Sequence, residues 1–162
     1  MCVMMIGINS SKQMKKIIFL SITLLLLSIT AFSQILKPVA WSYAAKRTSP
    51  TTATLYLKAT IDEGWHLYSQ FVKDGGPVKT TFTFPSSKEY TLVGKTIEPR
   101  PISRFESTFG MNVGFYEHSV IFQQKIKLSS KSTPVKGTVQ FMVCDDKQCL
   151  PPEDIDFTIT VK

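Results

Sequence analysis

The chain is poor in the residues from which most catalytic and metal centres are built: 162 residues include two histidines, three cysteines and two tryptophans. His66 and His118 stand far apart, the cysteines form no Cys-x-x-Cys pair, and no acidic cluster completes a ligand set, so a metal site is not expected. Cys-x-x-Cys-His, the signature of covalent haem attachment, is missing, and no serine sits in a nucleophile elbow. No cofactor is expected. Basic residues outnumber acidic ones, 19 to 12, for a net charge of +7. Yet Lys37, Lys58, Lys73, Lys88, Lys125 and Lys136 are scattered singly, whereas a phosphate backbone calls for a clustered stripe. Nucleic acid is therefore not an expected partner. Nothing in the chain reads as a long amphipathic helix.

One extended apolar run is present, near the start. Met14-Lys15-Lys16 is a basic opening, Ile17 to Ile29 is apolar and diluted only by Ser and Thr, and Ala31-Phe32-Ser33 is a small-x-small site before Gln34. This is the pattern of a secretory signal. The run is shorter than the ~20 residues a membrane-spanning helix needs, and Lys37-Pro38 follows closely. The expectation is that residues 1–33 are an N-terminal extension plus a cleaved signal peptide, starting near Met14 and cut near Ser33. Residues 34–162 then form one mature domain that does not span a membrane. Cys2 leaves with the leader, and so do Lys12, Lys15 and Lys16, which takes the charge from +7 to +4. Cys144 and Cys149 remain, outside a reducing cytosol.

The dominant period of the rest is two. Ala53, Leu55, Leu57, Ala59 and Ile61 alternate with Thr52, Thr54, Tyr56, Lys58 and Thr60, and Val120, Phe122, Gln124, Ile126 and Leu128 repeat the pattern. Such runs are half-buried strands. Shorter candidates are 39–43, 65–68, 80–84, 90–93, 138–144 and 157–161. Breakers lie between them, among them Asp62-Glu63-Gly64, Asp74-Gly75-Gly76-Pro77, Pro99-Arg100-Pro101, Gly110 and Pro151-Pro152. Seven or eight short strands separated by turns predict an all-β, immunoglobulin-like antiparallel β-sandwich.

Val139, Phe141 and Val143 share one face of a strand, which puts Cys144 on the other with Met142 and Gln140. Directly opposed positions across a hairpin bring Cα atoms to ~4.5–5.5 Å, within reach of a disulfide. A bridge closing so short a ring would constrain the unfolded chain by only ~2 kcal/mol, against ~4 kcal/mol for a ring of some sixty residues. That is a weak staple, and an exposed bond suits exchange. Small secreted domains nevertheless keep structural disulfides often, so the residues alone leave staple and redox centre both open. Asp145 and Asp146 disfavour a neighbouring thiolate, and Lys147 partly offsets them. Pro151-Pro152 stiffens the exit and predicts a ladder-free setting for Cys149. Trp41, Trp65, Tyr68 and Phe115-Tyr116 are expected mainly in the core, with Trp65 and Tyr68 nearest the cysteine loop.

Three segments resemble the periplasmic N-terminal domain of the thiol:disulfide interchange protein DsbD. Val143-Cys144 followed by Cys149-Leu150-Pro151-Pro152-Glu153 is similar to its cysteine hairpin. Ile61-Asp62-Glu63-Gly64-Trp65-His66-Leu67-Tyr68 is similar to its strand entry, and Phe105-Glu106-Ser107-Thr108-Phe109-Gly110 sits where that family has a cap loop over the active disulfide. The resemblance implies a periplasmic immunoglobulin-like domain that relays reducing equivalents, with Cys149 exchanging with partners and Cys144 completing the internal disulfide. It further implies a cap aromatic, Phe109 or Phe105. The implied partners are thioredoxin-like periplasmic proteins and a membrane electron donor, which is expected to be a separate protein. A monomer is expected. The spacing of the cysteines is one residue shorter than in the best-known members. The rival expectation is a non-catalytic binding or structural module whose disulfide pins a hairpin.

Overall fold

The structure, a computed structural model, describes residues 14–16, 18–19, 36–130 and 132–162. The expected leader features at 20–33, and Cys2, lie outside the described residues. Two compact units are distinguished, Met1–Leu36 and Lys37–Lys162. In the first, residues 14–16 and 18–19 are helical. Among the described residues no helix is long and apolar enough to cross a membrane.

The second unit is an antiparallel, immunoglobulin-like β-sandwich of eleven strands: β1 (Val39–Ser49), β2 (Thr52–Ile61), β3 (His66–Tyr68), β4 (Thr81–Thr83), β5 (Tyr90–Ile97), β6 (Ile102–Glu106), β7 (Met111–Tyr116), β8 (Ser119–Leu128), β9 (Thr133–Phe141), β10 (Val143–Cys144) and β11 (Glu153–Val161). They form three sheets, ordered β1-β2-β8-β5, β10-β3-β7-β6 and β11-β9-β4. The alternation seen in the sequence is the cause. On β8 every second residue from Val120 to Leu128 is buried and those between are exposed, and β2 pairs with it so that Leu57 faces Phe122 and Ala59 faces Val120. These rows meet Val135 and Val139 of β9 and Phe157, Ile159 and Val161 of β11 in one core. Full burial of side chains such as Leu55, Leu57 and Phe122 contributes ~1.5–3 kcal/mol each.

The structure has more strands than the seven or eight expected, and the additions matter for the site. β6 and β7 form a hairpin that periodicity missed. β6 is exposed along almost its whole length and so carries no alternation. β7 carries a glycine in its middle, Gly114, where an added Cβ would stand 3.1 Å from the Pro101 ring, so its side-chain pattern is short of one residue. The expected strand 138–144 divides as well. β9 belongs to the sheet with β11 and β4, the chain steps out at Met142, and β10 joins β3 in the other sheet. Trp41 takes its place in the main core, edge-on to Phe82 and Phe141.

Candidate functional site: a disulfide beside a small cavity

Strand parity continues across the step at Met142. Val143 enters the main core, and Cys144 turns to the opposite face, where it is buried with Tyr68, Val113 and Phe115. Cys144 and Cys149 are joined by a disulfide with their Cα atoms 4.0 Å apart. The Asp145 amide donates to the Gln148 carbonyl, and the Leu150 amide donates to the Val143 carbonyl, both at 2.9 Å. Two backbone bonds therefore bracket the pair, which places it at a non-hydrogen-bonded position of an antiparallel bridge, the position of closer Cα approach. Two expectations are corrected. The separation is shorter than ~4.5–5.5 Å, and Cys149 is not ladder-free, since the ladder runs to Leu150 and stops at Pro151, which has no N–H. Pro151 and Pro152 are exposed beyond that point and do not line the cavity beside the cysteines.

The connecting turn is built by Asp145. Its Oδ1 accepts hydrogen bonds from the backbone N–H of Lys147 at 2.8 Å and of Gln148 at 2.7 Å. These donors hold its carboxyl below the usual range for an aspartate. Asp145 is thus a turn former as much as a charge beside the sulfurs.

Register places the neighbours. Cys144 stands opposite His66 on β3, Tyr68 opposite Phe115 on β7, and Val113 opposite Arg104 on β6. Opposed residues share a face, so His66, Tyr68, Phe115, Arg104 and Cys144 lie on one side of the sheet. A cavity of about 160 Å³ opens there, lined among others by His66, Tyr68, Arg104, Phe109, Cys144 and Cys149. The two cysteines differ in burial: Cys144 is 4% exposed, whereas Cys149 is an exposed residue.

The same parity separates the two cap candidates. Phe105 pairs with Asn112, which sends it to the opposite face, where it is 61% exposed. Phe109 sits in the β6–β7 loop. The loop is closed by the Gly110 amide donating to the Glu106 carbonyl at 2.8 Å, and Gly110 adopts φ +64°, a left-handed conformation that glycine takes without steric cost. That turn lays Phe109 against the cluster holding Cys144, edge-on to Tyr68 with ring centroids 6.4 Å apart. Trp65 approaches from elsewhere. It belongs to the main core and borders a separate groove with Asp145, Asp146 and Lys147.

Charged groups surround the cavity in pairs. Arg104 Nε donates to Glu106 Oε1 at 2.8 Å, and its guanidinium lies 4.8 Å from the centre of the Phe115 ring. The hydrogen bond to Glu106 raises the Arg104 pKa further. Burial, reinforced by the negative charge of Glu106, pushes the Tyr68 phenol up to about 12, so Tyr68 stays neutral at physiological pH. His66, set aside above as a metal ligand, is buried beside Cys144. Its Nε2 lies 2.9 Å from Glu117 Oε1 and its Nδ1 3.2 Å from the Cys144 carbonyl oxygen. No sequence signal marks it, because the pairing of β3 with β10 becomes visible only in the fold. His118 lies at the β7–β8 turn and does not line the cavity.

An immunoglobulin-like domain with a surface disulfide under an aromatic side chain is the class that fold and site define. Residues 33–160 match the family described as thiol:disulfide interchange protein DsbD, N-terminal, and the chain belongs to that family. Among solved structures, the Neisseria meningitidis DsbD N-terminal domain in its reduced form is 16% identical, with a TM-score of 0.52 over 75% of this chain and 85% of that one. The N-terminal periplasmic domain of ScsB from Proteus mirabilis is 18% identical, with a TM-score of 0.56 over 79% of this chain and 47% of that one. A complex between the DsbD N-terminal and PilB N-terminal domains of Neisseria meningitidis matches at 15% identity, with a TM-score of 0.52 over 78% of this chain and 88% of that one. At these identities the likeness is one of fold. No curated protein matches the chain.

Proposed function

We propose that the chain is a periplasmic thiol–disulfide exchange protein that relays reducing equivalents between a separate membrane or thioredoxin-like donor and periplasmic protein partners through Cys144 and Cys149. Residues 34–162 are the working domain, a monomer freed by cleavage near Ser33. The observation that carries the reading is the unequal burial of the two cysteines, with Cys144 buried and Cys149 exposed. A partner thiolate reaches Cys149 first. Family membership and the solved complex of a related domain with a protein partner support the same reading.

In the loading direction, a donor thiolate attacks Cys149 Sγ. A donor–Cys149 bond forms, the Cys144–Cys149 bond breaks, and its electron pair leaves on Cys144 Sγ. The donor's second thiolate then attacks its own sulfur in the mixed disulfide, so the donor is oxidised and Cys149 is released. Two electrons have entered the pair, and two protons from solvent complete the dithiol. Delivery runs the same steps in reverse, with Cys149 attacking a partner disulfide and Cys144 resolving the adduct. Phe109 is the lid: it lines the cavity beside both cysteines and shields the bond against small thiols until a partner's surface displaces it.

Changing Cys144 to Ser removes the resolving sulfur and leaves Cys149 free to attack. In a periplasmic extract this variant is expected to accumulate covalent, reductant-sensitive adducts with thioredoxin-like proteins, whereas Cys149→Ser forms none. An intact fold with no adducts from Cys144→Ser would return the disulfide to the role of a hairpin pin.

A further inference from the structure

Lysines that stand apart in the sequence meet on one surface of the fold. Strands β1, β2, β8 and β5 form one sheet, and no Asp or Glu occurs in any of the four. Their inward rows fill the main core. On the outward side, Lys46 of β1 stands opposite Thr54 of β2, Thr54 opposite Lys125 of β8, and Lys125 opposite Val93 of β5, which makes a single row across the sheet. Lys127 follows Lys125 on the same face of β8, and Lys58 stands opposite Ile121 toward the strand's other end. All four lysines are exposed, and none takes part in an ion pair among the described residues. Ordinary strand spacings put them within a patch about 20 Å long and 10 Å wide. Neighbouring ammonium groups then stand within about a Debye length of each other, and such a field of one sign draws an anionic counterpart.

The company these lysines keep narrows the counterpart. Val93, Ile97 and Ile121 are exposed on the same outward side. Tyr56 is the one aromatic on this face, and the face has no arginine. Protein interfaces are instead poor in lysine and anchored by aromatic residues and arginine. Lysine beside aliphatic side chains suits a lipid surface, because the stem lies along apolar area while the ammonium reaches a phosphate. Parity also fixes where the disulfide points. Tyr116 of β7 meets Phe122 of β8 edge-on within the shared core, so the outward faces of the two sheets look away from that core in opposite directions, with the lysines on one and Cys144 on the other.

We propose that the outward face of the β1-β2-β8-β5 sheet docks the domain on an anionic lipid bilayer, with Lys46, Lys58, Lys125 and Lys127 against the headgroup phosphates, Val93 and Ile121 at the headgroup boundary, and the disulfide on the side away from the lipid. The inference concerns where the domain sits, and it stands whether the sulfurs exchange or merely pin a hairpin. Docking in this orientation leaves Cys149 open to a partner.

The test is a lysine footprint: the native, full chain is acylated with and without lipid vesicles, and each lysine is read by peptide mass spectrometry. Vesicles of phosphatidylcholine and phosphatidylglycerol are expected to protect Lys46, Lys58, Lys125 and Lys127 while Lys73 and Lys136, outside this sheet, stay reactive. Pure phosphatidylcholine vesicles should protect none of them. In about 1 M salt, where the Debye length shrinks to about 3 Å, the protection should vanish. One lysine at an anionic surface strengthens binding by about fivefold. K125Q/K127Q should therefore need about 25-fold more lipid to half-protect Lys46 and Lys58. K73Q/K136Q, with the same net charge, should match wild type. Should K125Q/K127Q not fold, the wild-type footprint alone decides. Capture of the chain on phosphatidylglycerol vesicles with the four lysines still reactive, as attachment through residues 1–33 would give, overturns the proposal. An equal loss in both double variants overturns it as well, since net charge alone would then be at work. Protection by soluble polyglutamate but not by vesicles would also overturn it and assign the face to an acidic protein.

Discussion

The main core and the cysteine-bearing face are built by the same alternation of side chains, yet they hold different chemistry. Between the large sheets, β2 and β8 bury aliphatic and aromatic rows against β9 and β11, and opposing strands cover the apolar area. On the far face of the β10-β3-β7-β6 sheet the cover is thinner: Phe109 of the β6–β7 loop and Val72, Met111 and Met142 pack on the cluster that holds Cys144. Such a cover excludes less water than a sheet, so this face can keep a buried histidine, an Arg–Glu pair and a disulfide within reach of solvent and of a partner. Stability resides in the first region and exchange chemistry in the second.

That division can be broken at graded points. The largest effect is expected from Leu57→Ala, which empties a fully buried position. Unfolding in urea should show a loss of about 2–5 kcal/mol, with the native-state reactivity of the disulfide unchanged. Replacing both Cys144 and Cys149 by Ser should abolish exchange completely while costing no more than about 2 kcal/mol, because the bridge closes so short a ring. Phe109→Ala should cost about 1 kcal/mol from its half-buried ring and speed reduction by small thiols roughly tenfold through better access. Phe105→Ala, on the other face, should change neither measurement.

The smallest effect concerns Asp145. Its two backbone donors depress the folded-state pKa, so its contribution is fully present above the unfolded value of about 4 and disappears as pH falls through the folded value. Asp145→Asn should therefore be slightly less stable than wild type at neutral pH. In urea titrations at a series of pH values, the gap should close in acid.

How much of this was legible in the chain depends on how local the signal is. The inward rows of β2 and β8 could be read from the alternation, down to Gln124, because each is a long strand with a covered side; on β2 the reading fails at Thr54, expected outward and found buried. The placement of Cys144 opposite Val143 followed from the same period and survived the step at Met142. Parity also sets Phe105 on the face away from Cys144, but only once β6 is known to be a strand, and its exposed residues gave no sign of that. His66 shows the limit most plainly. A lone histidine between Trp65 and Leu67 carries no mark of its neighbours; its place beside Cys144 comes from β10 pairing with β3, a contact between residues 78 positions apart.

The most direct test is a redox titration of the native chain against glutathione and thioredoxin buffers, with the Cys144–Cys149 bond followed by thiol alkylation. Reversible equilibration without unfolding, at a potential above about −300 mV, is the predicted result. A bond that stays closed in every buffer until the domain denatures would contradict the account.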